Sequence, residues 1–149
     1  MSEASLEERI RADLNAARRA RDARRVSLLG TLLSEIKNRR IELGRDLGDD
    51  DVQGIVSTAI KRRREAADQM SAGGREELAE KERWEGDVLQ EYLPPQLEES
   101  DVRAMVREAV EGGAGDIGGV MKAVIPRVKG RFEGKEVNRI AREELQAAS

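Results

Sequence analysis

The sequence contains no cysteine and no histidine, and aromatic residues fill only 2% of its 149 positions. Without cysteine, disulfides, thiolate metal sites and cysteine nucleophiles are excluded. Without histidine, the chain also lacks the commonest metal ligand and the usual general base. Hydrolytic mechanisms of the Ser-His or Cys-His type are therefore excluded, and any acid–base chemistry would fall to carboxylates, lysine, arginine or Tyr92.

Long apolar runs are also missing. The most apolar segment, residues 26–33, is far shorter than a bilayer-spanning helix. The first ten residues lack the basic and then apolar layout of a signal peptide. We therefore expect a soluble, cytoplasmic protein that has no membrane partner.

Charge is abundant and unevenly distributed, since Asp, Glu, Lys and Arg make up 38% of the chain. Residues 1–45 carry 11 basic and 7 acidic side chains, residues 46–114 carry 9 and 18, and residues 115–149 carry 7 and 5. An acidic middle thus separates two basic ends, although the net charge is only −3. This partition bears on the choice of partner more than the total does.

The composition and the spacing of apolar residues predict an all-α protein. Ala, Arg, Glu and Leu dominate, and all four are strong helix formers. Apolar residues recur at intervals of three and four through residues 1–93, where no proline occurs, and no strand-type alternation is present. Ser5 with Glu8 forms a capping box, Asp22 is a second cap, and Gly44 is a helix end.

The segment "LPPQLEES" (residues 93–100) predicts the boundary between two domains. Pro94 and Pro95 prevent a helix from continuing through it. We predict an N-terminal helical domain of long helices in residues 1–93 and a small three-helix tail domain in residues 94–149. Ser100 and Asp116 are the expected caps of the first two tail helices.

The tail contains the strongest candidate for a binding surface. Apolar residues in 117–128 fall on one stripe of a predicted helix, with Lys122 and Lys129 along one flank, Arg127 on the other, and Pro126 opposite the stripe. The following loop and helix add more basic residues. The candidate nucleic-acid-binding residues are Lys122, Arg127, Lys129, Arg131, Lys135 and Arg139.

Two interpretations of this surface remain open. Between Gly118 and Arg142 there are seven basic and two acidic residues. Such a cluster suits a surface that follows phosphates, yet it also suits an ordinary solvated helix face, and spacing alone favours the solvated face. Gly118, Gly119, Gly130 and Gly134 would let the backbone approach a ligand, but they form no phosphate-loop pattern, so no nucleotide site is predicted.

The other polar clusters have simpler explanations. We interpret "RRARDARR" (residues 18–25) and "IKRRRE" (residues 60–65) as solvated or paired with other helices. Asp49–Asp51 lack the alternating ligand pattern of a calcium loop and are interpreted as a helix cap, so no metal site is predicted. Trp84 and Tyr92 are expected in the core, whereas Phe132 is the one ring that could stack on a base.

Several segments resemble the YqeY family in order and spacing. They are "IELGRDLGDDDV", "AADQMSAGGREELAEKERWE", "LQEYLPPQLEESDV" and "IGGVMKAVIPRVKGRFEGKEVNRI". The last segment also resembles the GatB-type tail domain of the tRNA-dependent amidotransferases, which convert Glu or Asp mischarged on tRNA into Gln or Asn. The positions that match are Gly118, Val120, Met121, Lys122, Val128, Gly130, Lys135 and Val137. We assign Gly118, Met121, Gly130 and Gly134 to its structural motif.

The resemblance implies two helical domains and a tail that contacts tRNA without performing chemistry. Gly119 departs from the pattern, since relatives usually carry lysine there, and Phe132 replaces a small residue. The catalytic body of the GatB-type proteins, with its ATP and metal sites, has no counterpart in this short chain.

We therefore expect a tRNA-binding or tRNA-associated protein without catalytic residues or cofactors. The alternative is a protein-interaction module that docks on an aminoacyl-tRNA synthetase or an amidotransferase. A third hypothesis is a carbon–nitrogen ligase that uses glutamine as amido donor.

Overall fold

The computed structural model describes residues 4–149, and all regular secondary structure in that range is helical. The predicted all-α fold is confirmed. The helices are α1 (Leu6–Arg19), α2 (Ala23–Leu43), α3 (Asp49–Ala72), α4 (Glu76–Gln90), α5 (Glu99–Glu111), α6 (Ile117–Val128) and α7 (Gly134–Ala148). They divide into two compact units, an N-terminal unit (Met1–Leu93) and a tail unit (Pro94–Ser149).

Local sequence signals set the ends of the first two helices. The Ser5 hydroxyl accepts a hydrogen bond from the Glu8 amide at 3.1 Å, and the Glu8 carboxylate accepts one from the Ser5 amide at 3.4 Å. Asp22 accepts from the Arg25 amide at 3.1 Å and so begins α2. Gly44 ends α2 with φ 66°, a left-handed conformation that glycine adopts without strain.

The acidic run in the first turn of α3 acts as a cap and also links two helices. The carboxylate of Asp51 accepts from the Gly48 amide at 3.0 Å, and that of Asp49 accepts from the Leu6 amide at 3.0 Å. The first turn of α1 leaves its amides without partners inside the helix, so Asp49 supplies one. The start of α3 is thereby joined to the start of α1.

The core of the N-terminal unit is aliphatic, in agreement with the shortage of aromatic residues. Its α3 and α4 form the most extensive helix pair, while α1 and α2 pack on each other and against α3. Its buried residues are Leu6, Ile10, Leu14, Leu28, Leu29, Leu32, Ile36, Val52, Val56, Ala59, Ile60, Val88, Leu89 and Tyr92. Burial of each large aliphatic side chain contributes about 1.5–3 kcal/mol.

Tyr92, just beyond α4, joins that end of the unit to α1. Its side chain is buried, and its hydroxyl donates to an Asp13 carboxylate oxygen at 2.5 Å. Burial, and then the hydrogen bond to Asp13, raise the pKa of Tyr92 well above its ordinary value of 10.0. The phenol is therefore held in its protonated form as a donor.

The tail unit packs α5, α6 and α7 around a second aliphatic core. Its buried residues are Val102, Val106, Val120, Val124, Val128, Val137, Ile140 and Ala141. The α6 members of this set lie on the predicted stripe, and Pro126 is exposed, as expected. The Asp116 carboxylate caps α6 by accepting from the Gly119 amide at 2.7 Å.

The predicted cap of α5 is wrong by two residues. Ser100 lies inside the helix, and the N-cap position belongs to Glu98. The Asp101 carboxylate accepts from the Glu98 amide at 3.0 Å. The anionic Asp101 carboxylate, at the third position of the helix, therefore caps this helix start in place of the Ser100 hydroxyl.

Within residues 4–149, no helix is both long enough and apolar enough to cross a membrane.

The position of Tyr92 generates a prediction about alkaline pH. Because the folded state holds the phenol proton more tightly than the unfolded state does, the stability due to Tyr92 is complete below pH 10 and is lost as the pH rises further. Tyr92 is the only tyrosine, so phenolate absorbance near 295 nm (an ultraviolet band of ionised tyrosine) reports on it alone. We expect this absorbance to rise at a higher pH than in a free peptide and together with the loss of helix.

The matched variant is Tyr92→Phe, which keeps the ring and removes the donor. It should lower the free energy of unfolding at neutral pH by about 1–2 kcal/mol and abolish the absorbance change. A native protein whose tyrosine titrates at pH 10 would contradict the buried hydrogen bond.

Candidate nucleic-acid interface

The loop between α6 and α7 is held in place by the segment that follows the two prolines. Gly130 has φ 75°, where a side chain would be strained, so glycine suits this turn. The Gln96 side-chain amide donates to the Gly130 carbonyl at 3.0 Å, and the Leu97 amide donates to the Arg131 carbonyl at 2.8 Å. Two hydrogen bonds from one stretch of the tail thus fix the position of the loop.

Arg131 is part of the same arrangement. Its Nε donates to the Pro95 carbonyl at 3.1 Å, and the side chain is half-buried. A guanidinium group has five N–H donors in a rigid plane, so this contact orients the group while other donors remain. Arg131 is the predicted site residue whose direction is fixed by a backbone acceptor.

Three of the predicted residues are lysines that project into solvent. Lys122 lies in the second turn of α6, Lys129 directly follows α6, and Lys135 is the second residue of α7; all three are exposed. Within residues 4–149, no carboxylate lies within ion-pair distance of any of these ammonium groups. Their charge is therefore available to an external anion.

Two of the three arginines of the predicted set are paired with carboxylates. Arg139 contacts Glu136 at 2.9 Å, Glu143 at 3.0 Å and also Glu99 of α5. Arg127 pairs with Glu108 at 3.2 Å. The hydrogen bonds from Arg139 and Arg103 lower the pKa of Glu99, so this carboxylate stays ionised. Arg139 thus serves mainly to join α5 to α7.

Sequence inspection missed the rest of this ion-pair network. Arg103 contacts Glu143 and Glu144, each at 2.8 Å, and Glu99 at 3.3 Å. Arg107 contacts Glu144 at 2.9 Å. The available signal is the spacing of four between Glu99, Arg103 and Arg107, which places them on one face of α5. Spacing does not reveal that α7 lies opposite that face.

The residues assigned to the structural motif, and the neighbouring Gly119, lie in different surroundings. Gly118 and Gly134 have ordinary space for a side chain, and Met121 is half-buried against the tail core. At Gly119, an added Cβ would lie 3.1 Å from the Asp116 cap oxygen. A lysine at this position would therefore displace the cap slightly. The Gly119 amide donates a hydrogen bond to the Asp116 carboxylate and is therefore not free to bind a ligand.

The aromatic residues serve as core residues. Phe132 is half-buried and packs against the tail core, so the expectation that it offers its ring to a base gains no support. Trp84 packs against the core of the N-terminal unit, as expected. The tail interface thus presents cations and backbone, with no free ring beside them in the described residues.

The two basic clusters of the N-terminal unit differ from each other. In residues 60–65, Arg63 pairs with Glu85 of α4 at 3.1 Å, which is the predicted contact between helices. In residues 18–25, the ion pair found in the described range is local, between Arg25 and Asp22 at 3.5 Å. The expected solvation therefore applies to this first cluster, whereas residues 4–149 contain no ion pair between its arginines and another helix.

No group of three or more acidic side chains in residues 4–149 is arranged to hold a metal ion. Asp49 and Asp51 instead make the helix-start contacts described above.

Comparison with known proteins gives a family match over nearly the whole chain. Residues 7–145 match the family described as "Yqey-like protein". The "Altered inheritance of mitochondria protein 41, mitochondrial" of Pyrenophora tritici-repentis is 30% identical over 133 residues, covering 86% of this chain and 74% of that protein. The protein of that name from Saccharomyces cerevisiae strain YJM789 is 26% identical, covering 86% and 70%. These names refer to mitochondria and mention neither tRNA nor an amidotransferase.

The contrast between Arg139 and Lys135, on the same helix, can be tested. Arg139→Ala leaves Glu99 and Glu143 with Arg103 alone and removes the arginine that contacts Glu136, so we expect weaker protection of α5 and α7 amides from hydrogen exchange. The same change at Lys135 should have no such effect. The pKa of Glu99 and of Glu143 is depressed, so the pairing contributes fully above pH 4.5 and is lost as the pH falls below it. The defect should therefore shrink in acid.

Equal protection in both variants at neutral pH would contradict the structural role of Arg139.

Proposed function

The chain belongs to the YqeY family, and from this premise we propose that it is a tRNA-binding protein that acts without catalysis of its own. The observation that carries the proposal is the set of three unpaired lysines, one on α6 and one at each end of the α6–α7 loop, a loop that hydrogen bonds from Gln96 and Leu97 hold in place. Cations on a rigid frame supply most of the affinity of proteins for nucleic acids. The sequence resemblance to an amidotransferase tail supports tRNA as the nucleic acid.

The roles within this surface differ by residue. Lys122, Lys129 and Lys135 neutralise phosphates as mobile point charges. Arg131, oriented by the Pro95 carbonyl at 3.1 Å, supplies a directed donor. Arg127 and Arg139 contribute less, because carboxylates already share their charge.

The proposed recognition is of the backbone and shape of tRNA. Phosphate contacts position a protein without reading sequence. Sequence-specific RNA binding uses rings that stack on exposed bases, and the tail's Phe132 is instead packed on its core. We therefore infer weak discrimination among tRNA species by this unit alone.

A lack of independent catalysis is part of the proposal, as is the cytoplasmic location. The contrary hypothesis, a glutamine-using carbon–nitrogen ligase, requires the purified chain to amidate mischarged tRNA with glutamine and ATP. Amidated product formed by the chain alone, with no contaminating amidotransferase to account for it, would overturn the non-catalytic assignment.

The lysine surface generates the central prediction. We expect the full chain to bind unfractionated tRNA with an affinity that falls steeply with salt. Changing Lys122, Lys129 and Lys135 together to Ala should make the log–log salt slope shallower by about 0.7–0.9 for each phosphate that is no longer neutralised. Fluorescence anisotropy of labelled tRNA over a range of salt concentrations measures both quantities.

A charge-matched control replaces Arg11, Lys37 and Arg39, all exposed in the N-terminal unit, with Ala. This variant loses the same net charge but should keep most of the slope. Equal slopes in the wild type and the lysine variant would rule out the tail surface as the tRNA-binding surface.

A protein-interaction module is the second candidate function. Leu78 is 46% exposed near the start of α4, within the acidic middle of the chain, where residues 46–114 carry 18 acidic and 9 basic side chains. An exposed apolar side chain in an acidic segment suits a partner with a basic rim, such as a synthetase or an amidotransferase. Capture of such a protein from nuclease-treated extract, lost in Leu78→Glu and retained in the lysine variant, would favour this function over tRNA binding.

A further inference from the structure

The turn between α1 and α2 is the most basic exposed segment outside the tail. Residues 18–25 hold five arginines and one acid, Asp22. The side chains of Arg18, Arg19, Arg21 and Arg24 are exposed. Asp22 is already used twice, since it accepts from the Arg25 amide at 3.1 Å and pairs with the Arg25 side chain at 3.5 Å. The segment therefore offers nearly uncompensated positive charge.

The backbone of this turn holds an arginine where glycine is favoured. Arg21 has φ 56°, the one non-glycine residue of the described range with positive φ. Its amide donates to the Arg18 carbonyl at 3.1 Å, and the Asp22 amide donates to the Ala17 carbonyl at 2.9 Å. This pattern commonly ends helices at a glycine, because a Cβ is strained in the left-handed region. The chain thus has arginine at a position where backbone stability alone would favour glycine.

A neighbouring arginine is oriented by a ring. The Arg24 guanidinium lies over the Trp84 ring, 4.2 Å from its centroid, and Arg25 lies 5.8 Å from the same ring. Stacking restrains the plane of the guanidinium but leaves its edge donors free for an acceptor in that plane. Arg24 is consequently prepared for a phosphate with little further loss of side-chain freedom.

Two more arginines of the turn have no anionic partner. Within residues 4–149, no carboxylate lies within ion-pair distance of Arg19 or Arg21, and Arg18 donates only to the Asn15 side chain at 3.3 Å. By contrast, Arg63 and Arg103 elsewhere in the chain are held by glutamates. A strained backbone, an oriented guanidinium and unpaired charges coincide in one turn.

We propose that the α1–α2 turn is a second nucleic-acid contact, in which Arg19, Arg21 and Arg24 bind RNA phosphates. The choice of RNA rests on the proposed function of the tail. The surface itself favours a charged backbone over a lipid surface. Its exposed apolar residues are Ala20 and Ala23, too small to insert among lipid chains, and Trp84 lies beneath Arg24.

The test exploits the strain at Arg21. In Arg21→Gly, we expect the unfolding temperature of the full chain to stay equal or rise, because the left-handed backbone is relieved. The affinity for unfractionated tRNA at low salt should fall severalfold, and the salt slope should become shallower by about 0.7–0.9. Arg21→Lys keeps the charge and should bind close to the wild-type level.

The control is Lys37→Ala, which removes one exposed cation about 20 Å farther along α2. Its slope should match that of the wild type. Arg21→Gly with wild-type affinity and slope would overturn the proposal, as would an equal loss in Lys37→Ala, which would indicate only a general effect of charge.

The lysine variant of the tail separates this proposal from the proposed function. If that variant loses tRNA affinity while Arg21→Gly does not, the tail surface binds tRNA and the turn does not. If Arg21→Gly loses affinity while the lysine variant does not, the turn stands and the tail assignment is wrong. Arg21-dependent binding to phosphatidylserine vesicles, without binding to tRNA, would overturn RNA as the ligand of the turn.

Discussion

The hydrogen bonds between the segment after Pro95 and the α6–α7 loop are the constraint on which the tail surface depends. Without them, the loop would be a five-residue connection around Gly130, free to place its basic residues in many directions. Gln96 and Leu97 hold its carbonyls, and Arg131 returns a bond to Pro95. The prolines therefore do more than end one helical unit. The backbone that follows them also fixes the α6–α7 loop, which carries part of the proposed binding surface.

Arginine and lysine have different roles in this protein. Arginine, with its planar fork, is drawn to carboxylates, and in the tail Arg103, Arg107 and Arg139 hold α5 against α7. Lysine is a compact and strongly hydrated charge that remains in solvent. The surface that we propose to bind an anion in the tail is thus made chiefly of lysines. The α1–α2 turn differs from this network, because in residues 4–149 no carboxylate lies within ion-pair distance of its Arg19 or Arg21.

Local rules predict most of this fold, since helices and their caps depend on residues close together in the chain. The capping box at Ser5, the cap at Asp22 and the stop at Gly44 all follow from such rules. The partners of the arginines could not be predicted, because Arg103 and Glu144 lie 41 residues apart and meet only after α5 and α7 pack. For the candidate site, spacing places Lys122 and Lys129 on one flank of α6 and Arg127 on the other, but it cannot distinguish a free lysine from a paired arginine.

The shortage of aromatic residues has a consequence for how this protein can be observed. Its single tryptophan and single tyrosine both belong to the N-terminal unit, and the tail has only Phe132. Intrinsic fluorescence therefore follows one unit and is silent about the other, whereas circular dichroism follows both. The Arg24 guanidinium lies 4.2 Å from the centroid of the Trp84 ring. A ligand that moves this guanidinium should therefore also change the fluorescence of Trp84.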